Sequence, residues 1–157
     1  MMANVAPATT DHRLDGVHFE VVIHEKVGSL EEAAALRGVP PAAVIKTIVV
    51  RRNDDDYVFV LVPGDRVIDW PKLRSELNER RLSMPDANEA LAVTGYVRGT
   101  ITPFAANNLS PVIADEALTS RVSIGGGAPG TSLTMSRVDL VQALDATVVD
   151  VTKPAAS

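Results

Sequence analysis

Two apolar runs joined by an acidic turn constrain this chain more than any other feature. "VIKTIVVRR", residues 44–52, is rich in β-branched side chains, which suit a pleated strand. "NDDD" follows as a turn, and "YVFVLV", residues 57–62, is apolar at every position. A strand that is apolar on both faces has to be covered on both faces. The two runs predict a β-hairpin whose second strand is fully buried.

The rest of the chain reads as short strands interleaved with a few short helices. "HFEVVIH", 18–24, is a first strand. "SLEEAAALRG" is a helix with Ser29 as N-cap, Glu32 completing a capping box and Gly38 as the left-handed stop. "VPP" breaks the chain. Asp69 caps a helix through Glu79, with Pro71 tolerated in its first turn. "RLSM" reads as a short strand. "DANEALAVTG" is a helix bounded by a capping box, Asp86 with Glu89, and by Gly95. "PVIAD", "RVSI" and "TSLTM" read as strands, with "GGGAPG" as a loop between the last two. Ser136 caps a helix through Leu144, and "ATVVDV" is a last strand. There is no internal repeat and no linker. The order predicts an α+β fold with a mixed, mostly antiparallel sheet and short helices packed on it.

Length and composition set the outer limits. The 157 residues fit one domain, with 46% hydrophobic and 22% charged residues. Residues 1–16 and 153–157 read as frayed tails around a domain at 17–152. The chain has no cysteine, which removes disulfides, thiolate metal sites and a cysteine nucleophile. No apolar run approaches the roughly 20 residues of a membrane span, and the N-terminus lacks the basic start and apolar block of a secretory signal. A cytoplasmic protein with no membrane partner is expected. The formal charge of −5 argues against tight nonspecific binding to nucleic acid, DNA included.

Several familiar chemistries are missing. His18 and His24 lie about 20 Å apart along a strand and cannot share a metal ion, and no HExxH or acidic-loop motif occurs. Neither a GxSxG elbow nor a P-loop is present. "GGGAP" precedes a strand instead of a helix, so it is not a dinucleotide loop. No metal and no cofactor are expected.

Two features remain. Lys46 sits inside the first hairpin strand on one face with Val44, Ile48 and Val50. It either reaches water from an open end of that face or is held inward as an anion clamp. "TGYVRGTITPF", 94–104, has Gly95 and Gly99 four residues apart and Pro103 four further on. Glycine permits close main-chain approach to a ligand, and convergent peptide N–H groups can stabilise an oxyanion. Gly99 to Pro103 and Gly125 to Gly130 are each either tight turns or such loops. Together with Lys46 they suggest a site.

In combination these blocks resemble the YbaK/EbsC family, free-standing relatives of the editing domain inserted in bacterial prolyl-tRNA synthetases. "EEAAALRGVPPAAVIKTIVVR", "VLVPGDRVIDWPKLR", "TGYVRGTITPF", "PVIADEAL" and "VSIGGGAPGTSLTMSRVDLV" are similar to five family segments in the family's order, from Val21 to Val151. The resemblance implies the fold of that family, a single domain whose sheet is partly barrel-like. It implies removal of wrongly attached amino acids from tRNA, chiefly proline tRNA. Lys46 matches the functional lysine, which contacts the 3′-terminal nucleotide, and Thr47 follows it in the motif. Gly99 and Pro103 match the GxxxP loop, with Thr100, Ile101 and Thr102 between them. Gly127 and Gly130 match a later glycine pair, and Asp115 an acidic pocket position. One departure stands out: Thr100 occupies a place where the family usually has glycine, and its Cβ is expected to narrow the pocket.

The activity that the resemblance implies is metal-independent hydrolysis of an aminoacyl-tRNA ester, with the acceptor end of tRNA-Pro as partner and transient contact with prolyl-tRNA synthetase. Lys46 and Gly99 carry the catalytic expectation. A non-catalytic binding module of the same fold, kept open by Thr100, and a hydrolase of small aminoacyl esters are the alternatives.

Overall fold

The structure, a computed structural model, describes residues 6–25, 28–108 and 110–156. Among the described residues, nine strands and four α-helices follow one another as β1 (Glu20–Ile23), α1 (Leu30–Arg37), β2 (Ile45–Asn53), β3 (Asp56–Pro63), β4 (Arg66–Ile68), α2 (Trp70–Leu77), α3 (Ala87–Thr94), β5 (Val112–Asp115), β6 (Arg121–Gly125), β7 (Thr131–Ser136), α4 (Arg137–Leu144), β8 (Thr147–Val149) and β9 (Thr152–Pro154). Three 3₁₀ turns occupy Pro7–Thr10, His12–Leu14 and Pro41–Ala43.

The helix ends follow from local chemistry. Each N-cap oxygen accepts a main-chain N–H three residues on: Ser29 from Glu32 at 3.1 Å, Asp69 from Lys72 at 3.2 Å, Asp86 from Glu89 at 2.8 Å and Ser136 from Asp139 at 3.1 Å. Such caps satisfy donors the helix leaves open.

The hairpin is the centre of the fold. β2 and β3 pair antiparallel, β3 and β5 pair parallel, and β5 and β8 pair parallel, giving the order β2-β3-β5-β8. A second sheet, β1-β7-β6, is antiparallel, and β4 pairs with β9. The fold is α+β with a mixed, mostly antiparallel set of sheets. Its barrel-like character is limited to one parallel bridge, Val44 to Ser123, that joins β2 to β6.

Alternation along the hairpin divides the interior in two. Ile45, Val49, Tyr57, Phe59 and Leu61 face a core with Phe104, Val122, Leu133 and Met135. Val50, Val58, Val60 and Val62 face another, with Ile68, Leu73, Ile113 and Val151. β3 is therefore buried on both faces, as its composition predicts. Fully burying one such side chain contributes about 1.5–3 kcal/mol.

Three segments differ from the sequence reading. Residues 6–16, read as part of a tail, pack on the domain: Ala6, Ala8 and Leu14 are buried, and Arg13 stacks 5.8 Å from the Phe104 ring centroid. Residues 1–5 lie outside the described residues. "RLSM" forms only a single bridge, Ser83 to Arg51. The run "ATVVDV" forms a strand only from Thr147 to Val149, because the chain leaves β5 there and crosses to pair with β4. β9 thus takes in Lys153 and Pro154, which the sequence placed in a C-terminal tail.

Candidate functional site

A cleft of about 640 Å³ opens along the outer edge of β2. Its floor is the strand from Ile45 to Val49. One wall is the segment Met84 to Ala87 with Ala90 of α3, and the other is Arg98, Gly99 and Ile101. Arg37 and Gly125 close the end near Val44.

The floor is an unpaired strand edge. Arg51 exchanges both main-chain hydrogen bonds with Ser83, at 2.7 and 3.1 Å, so its N–H and C=O point away from β3. Antiparallel pairing alternates in this respect, and Thr47 and Val49 share the phase of Arg51. Pro63, which has no N–H to give, lies opposite Ile45 in the same phase. The N–H and C=O groups of Thr47 and Val49 therefore point into the cleft. Between the Val44 and Arg51 bridges no described strand pairs with this edge. The Thr47 hydroxyl is buried without a hydrogen-bond partner among the described residues.

Lys46 lines the cleft from the opposite face of β2, and its ammonium donates to the Arg66 carbonyl. Burial pushes its pKa below the ordinary lysine value, while the Asp65 carboxylate opposes that shift. Gly99 stands on the facing wall with φ of +90° and open space where a Cβ would project. That backbone conformation is costly for any residue with a side chain.

The remaining residues of the sequence reading divide by position. Thr47 and Ile101 line the cleft with Lys46 and Gly99. Thr100 is buried behind the loop, where its Oγ1 donates to the Val97 carbonyl at 2.7 Å. Thr102 and Pro103 are buried beneath it; the Thr102 Oγ1 accepts from the Phe104 N–H, and the Pro103 carbonyl accepts from Arg13 at 2.9 Å. Gly127 and Gly130 are set by contacts outside the cleft lining. A Cβ on Gly127 would meet the Tyr96 ring at 2.7 Å, and one on Gly130 the His24 carbonyl at 2.2 Å. Asp115 is also away from the lining. Its buried carboxylate accepts from the Val151 and Ala117 amides, each at 3.0 Å, and holds the crossing between β8 and β9.

Two residues tie the GTITP loop to the N-terminal segment. The Asp11 carboxylate accepts from the Ala105 N–H at 2.7 Å and pairs with Arg13 at 2.7 Å. Burial alone would raise the Asp11 pKa; hydrogen bonds from the Arg13 side chain and from the Ala105 and Arg13 amides outweigh it and hold the pKa at about 2. On the opposite wall, Glu89 accepts from Tyr57 at 2.6 Å and from Arg51 at 3.2 Å, fixing α3 to the hairpin.

The sequence reading missed Arg37, Met84 and Asp86 as lining residues, while Gly125, the first residue of the glycine loop it singled out, does line the cleft. Arg37 and Asp86 already have local roles as a last-turn cation and an N-cap, and those roles hide a second one. The lining carries three cations, Arg37, Lys46 and Arg98, against one carboxylate, Asp86. This reverses the sign of a chain whose net charge is −5. Among the described residues no three His, Asp or Glu side chains converge as metal ligands, and no helix is long and apolar enough to cross a membrane.

Known proteins share this fold and sequence. The chain is 37% identical over 114 residues, 73% of its length, to the proline–tRNA ligase of Desulfovibrio desulfuricans, of which it spans only 19%. It is 28% identical over 134 residues to the multifunctional Ser/Thr-tRNA deacylase ProXp-y of Escherichia coli K12, covering 82% of this chain and 80% of that one. A solved structure described as a candidate trans-editing enzyme for prolyl tRNA synthetase superposes with a TM-score of 0.82 at 23% identity, covering 94% of this chain and 98% of the other. The family model for the aminoacyl-tRNA editing domain matches residues 24–143, a span that holds β2, the GTITP loop and the whole cleft lining, and the chain belongs to that family.

Proposed function

We propose that this protein hydrolyses the ester of mischarged aminoacyl-tRNA, acting on tRNA-Pro that carries a small wrong amino acid such as Ala or Cys. The observation that carries this reading is the cleft itself. An unpaired strand edge faces a glycine at φ of +90° across a cationic opening. Its volume of about 640 Å³ lies in the range of small-molecule sites and accommodates an aminoacyl group with part of its nucleoside.

The chemistry asks little of side chains. An aminoacyl ester is already activated, so a positioned water, or assistance from the neighbouring ribose hydroxyl, suffices once the developing oxyanion is stabilised. The Thr47 and Val49 main-chain groups and the Gly99 wall are placed to hold the ester. Lys46 supplies positive charge for the 3′-terminal nucleotide. No metal ion enters this scheme.

The relatives favour tRNA as the substrate, since one is named a Ser/Thr-tRNA deacylase and another a proline–tRNA ligase. Transient contact with prolyl-tRNA synthetase follows from the same reading. A size sieve separates neighbours poorly, because one methylene is worth about 1–3 kcal/mol. The test is a deacylation panel of proline and alanine tRNAs charged with Ala, Cys, Ser, Thr and Pro. Release of Ala or Cys from tRNA-Pro, with Pro retained, is expected. A panel with no turnover, but with measurable binding, would leave a non-catalytic module of the same fold.

A further inference from the structure

We propose that Arg37 forms a phosphate subsite at the closed end of the cleft, where its guanidinium takes the phosphate on the 5′ side of the 3′-terminal nucleoside. This inference rests on the editing reading and adds the group that recognises the nucleotide.

Arg37 is the last residue of α1, followed by the left-handed cap Gly38. Its side chain does not run out into solvent. Nη1 donates to the buried Ser123 hydroxyl at 3.3 Å, and Nε is buried with no partner among the described residues. The residue lines the cleft together with Val44, Ile45 and Gly125. Burial lowers its pKa, yet an arginine stays charged under ordinary conditions.

Among the described residues no ion pair neutralises that charge. Arg13, Arg51, Arg52, Lys72 and Arg121 each have a carboxylate within ion-pair distance, whereas Arg37 has none among the described residues. A half-buried guanidinium without a counter-anion carries a desolvation cost that a bound anion relieves. Its flat fork of donors suits a phosphate better than a point charge does. Lys46, whose ammonium donates to the Arg66 carbonyl, and Arg98 lie on the same lining without an ion pair among the described residues and add to its positive field. The single carboxylate on the lining, Asp86, belongs to the far wall and caps α3.

The experiment compares 5′-AMP, standing in for the terminal nucleotide, with adenosine, which lacks the phosphate. Each is titrated by NMR into the wild type, R37Q and R37K. The wild type is expected to bind 5′-AMP about tenfold more tightly than adenosine, the scale of one charge-assisted contact. R37Q is expected to bring that ratio toward one, and R37K to retain part of it because the charge stays while the fork is lost. Two results would overturn the proposal: no preference for 5′-AMP in the wild type, or an unchanged ratio in R37Q. An unchanged ratio with both ligands equally weakened would make Arg37 a brace for β6.

Deacylation of alanyl-tRNA, run on the same proteins, separates this from the broader reading. If the wild type cleaves no ester while R37Q still loses the 5′-AMP preference, the phosphate subsite stands and the deacylase reading falls. If the wild type deacylates and R37Q keeps the ratio, the subsite falls and the deacylase reading stands.

Discussion

The Asp11 carboxylate accepts a hydrogen bond from the Ala105 N–H at 2.7 Å, across 94 positions of sequence. Through it, a segment that precedes the matched editing domain holds the loop that walls the cleft. Asp11→Asn should therefore lower kcat/KM for deacylation and destabilise the fold together. The pH dependence is specific. A carboxylate with a depressed folded pKa adds stability that is full above its unfolded value of 3.8 and is lost as pH falls toward about 2. Unfolding curves between pH 5 and about pH 2 should converge for wild type and Asp11→Asn as the pH drops. Curves that stay parallel would remove Asp11 from this role.

Lys46→Ala takes away a charge and no core volume. Turnover should fall about a hundredfold, the scale of a lost electrostatic contact at a reacting centre. The melting temperature should move by less than about 4 °C. Full activity in a folded Lys46→Ala protein would refute the assignment. Because burial depresses the Lys46 pKa, activity that depends on its charge should decline on the alkaline side before an ordinary lysine would titrate.

Gly99 tests the loop. Its φ of +90° costs a residue with a Cβ about 1–2 kcal/mol, although nothing lies within 4 Å of that Cβ. Gly99→Val should cut kcat strongly with that modest loss of stability, while Ile101→Val stays mild. A sharp drop in melting temperature with full turnover in the folded fraction would make Gly99 a structural turn only.

Thr100 departs from the family pattern, and its sequence alone leads to the expectation that its Cβ narrows the pocket. Its hydroxyl is turned back onto the Val97 carbonyl at 2.7 Å and not toward the cleft. Thr100→Gly should leave the ranking of amino acids unchanged in the deacylation panel and cost about 1 kcal/mol for the lost hydrogen bond. A broadened ranking would show that the Cβ does limit the pocket.

Glu89→Gln weakens the brace between α3 and the hairpin. The Glu89 hydrogen bond is the main reason the Tyr57 pKa is raised, with burial adding to it. Ultraviolet titration should show Tyr57 ionising at lower pH in the variant. Stability should fall, and KM should rise as the Met84–Ala90 wall loosens. An unshifted Tyr57 titration would remove the brace.

What the sequence made legible is what local rules decide. Ser29, Asp69, Asp86 and Ser136 cap helices because each needs only the amide three residues on. The buried β3 was visible because burial on both faces leaves no polar position in it. What stayed hidden depends on distant partners. Nothing near Arg37 announces Ser123, and Asp115 gives no sign that its partner is the Val151 amide. The segment 6–16 has the composition of a tail, and its partners, the Ala105, Pro103 and Gly126 main chain and the Phe104 ring, are all distant in sequence. In the cleft, Lys46 and the Gly99–Pro103 loop stood out by strand pattern and glycine spacing, and Thr47 and Ile101 came through the family resemblance, whereas the Met84–Ala90 wall has no motif of its own.

The open edge of β2 has one more consequence. An unpaired strand edge is a template for another strand, and proteins that leave one exposed risk sticking to copies of themselves. Here the edge lies at the bottom of a trench, closed at one end by the bridge to Ser123 and at the other by the bridge to Ser83. Those stops leave only the stretch from Ile45 to Val50 free for pairing, so a variant that widens the trench to broaden its range of guests is expected to self-associate more readily than the wild type.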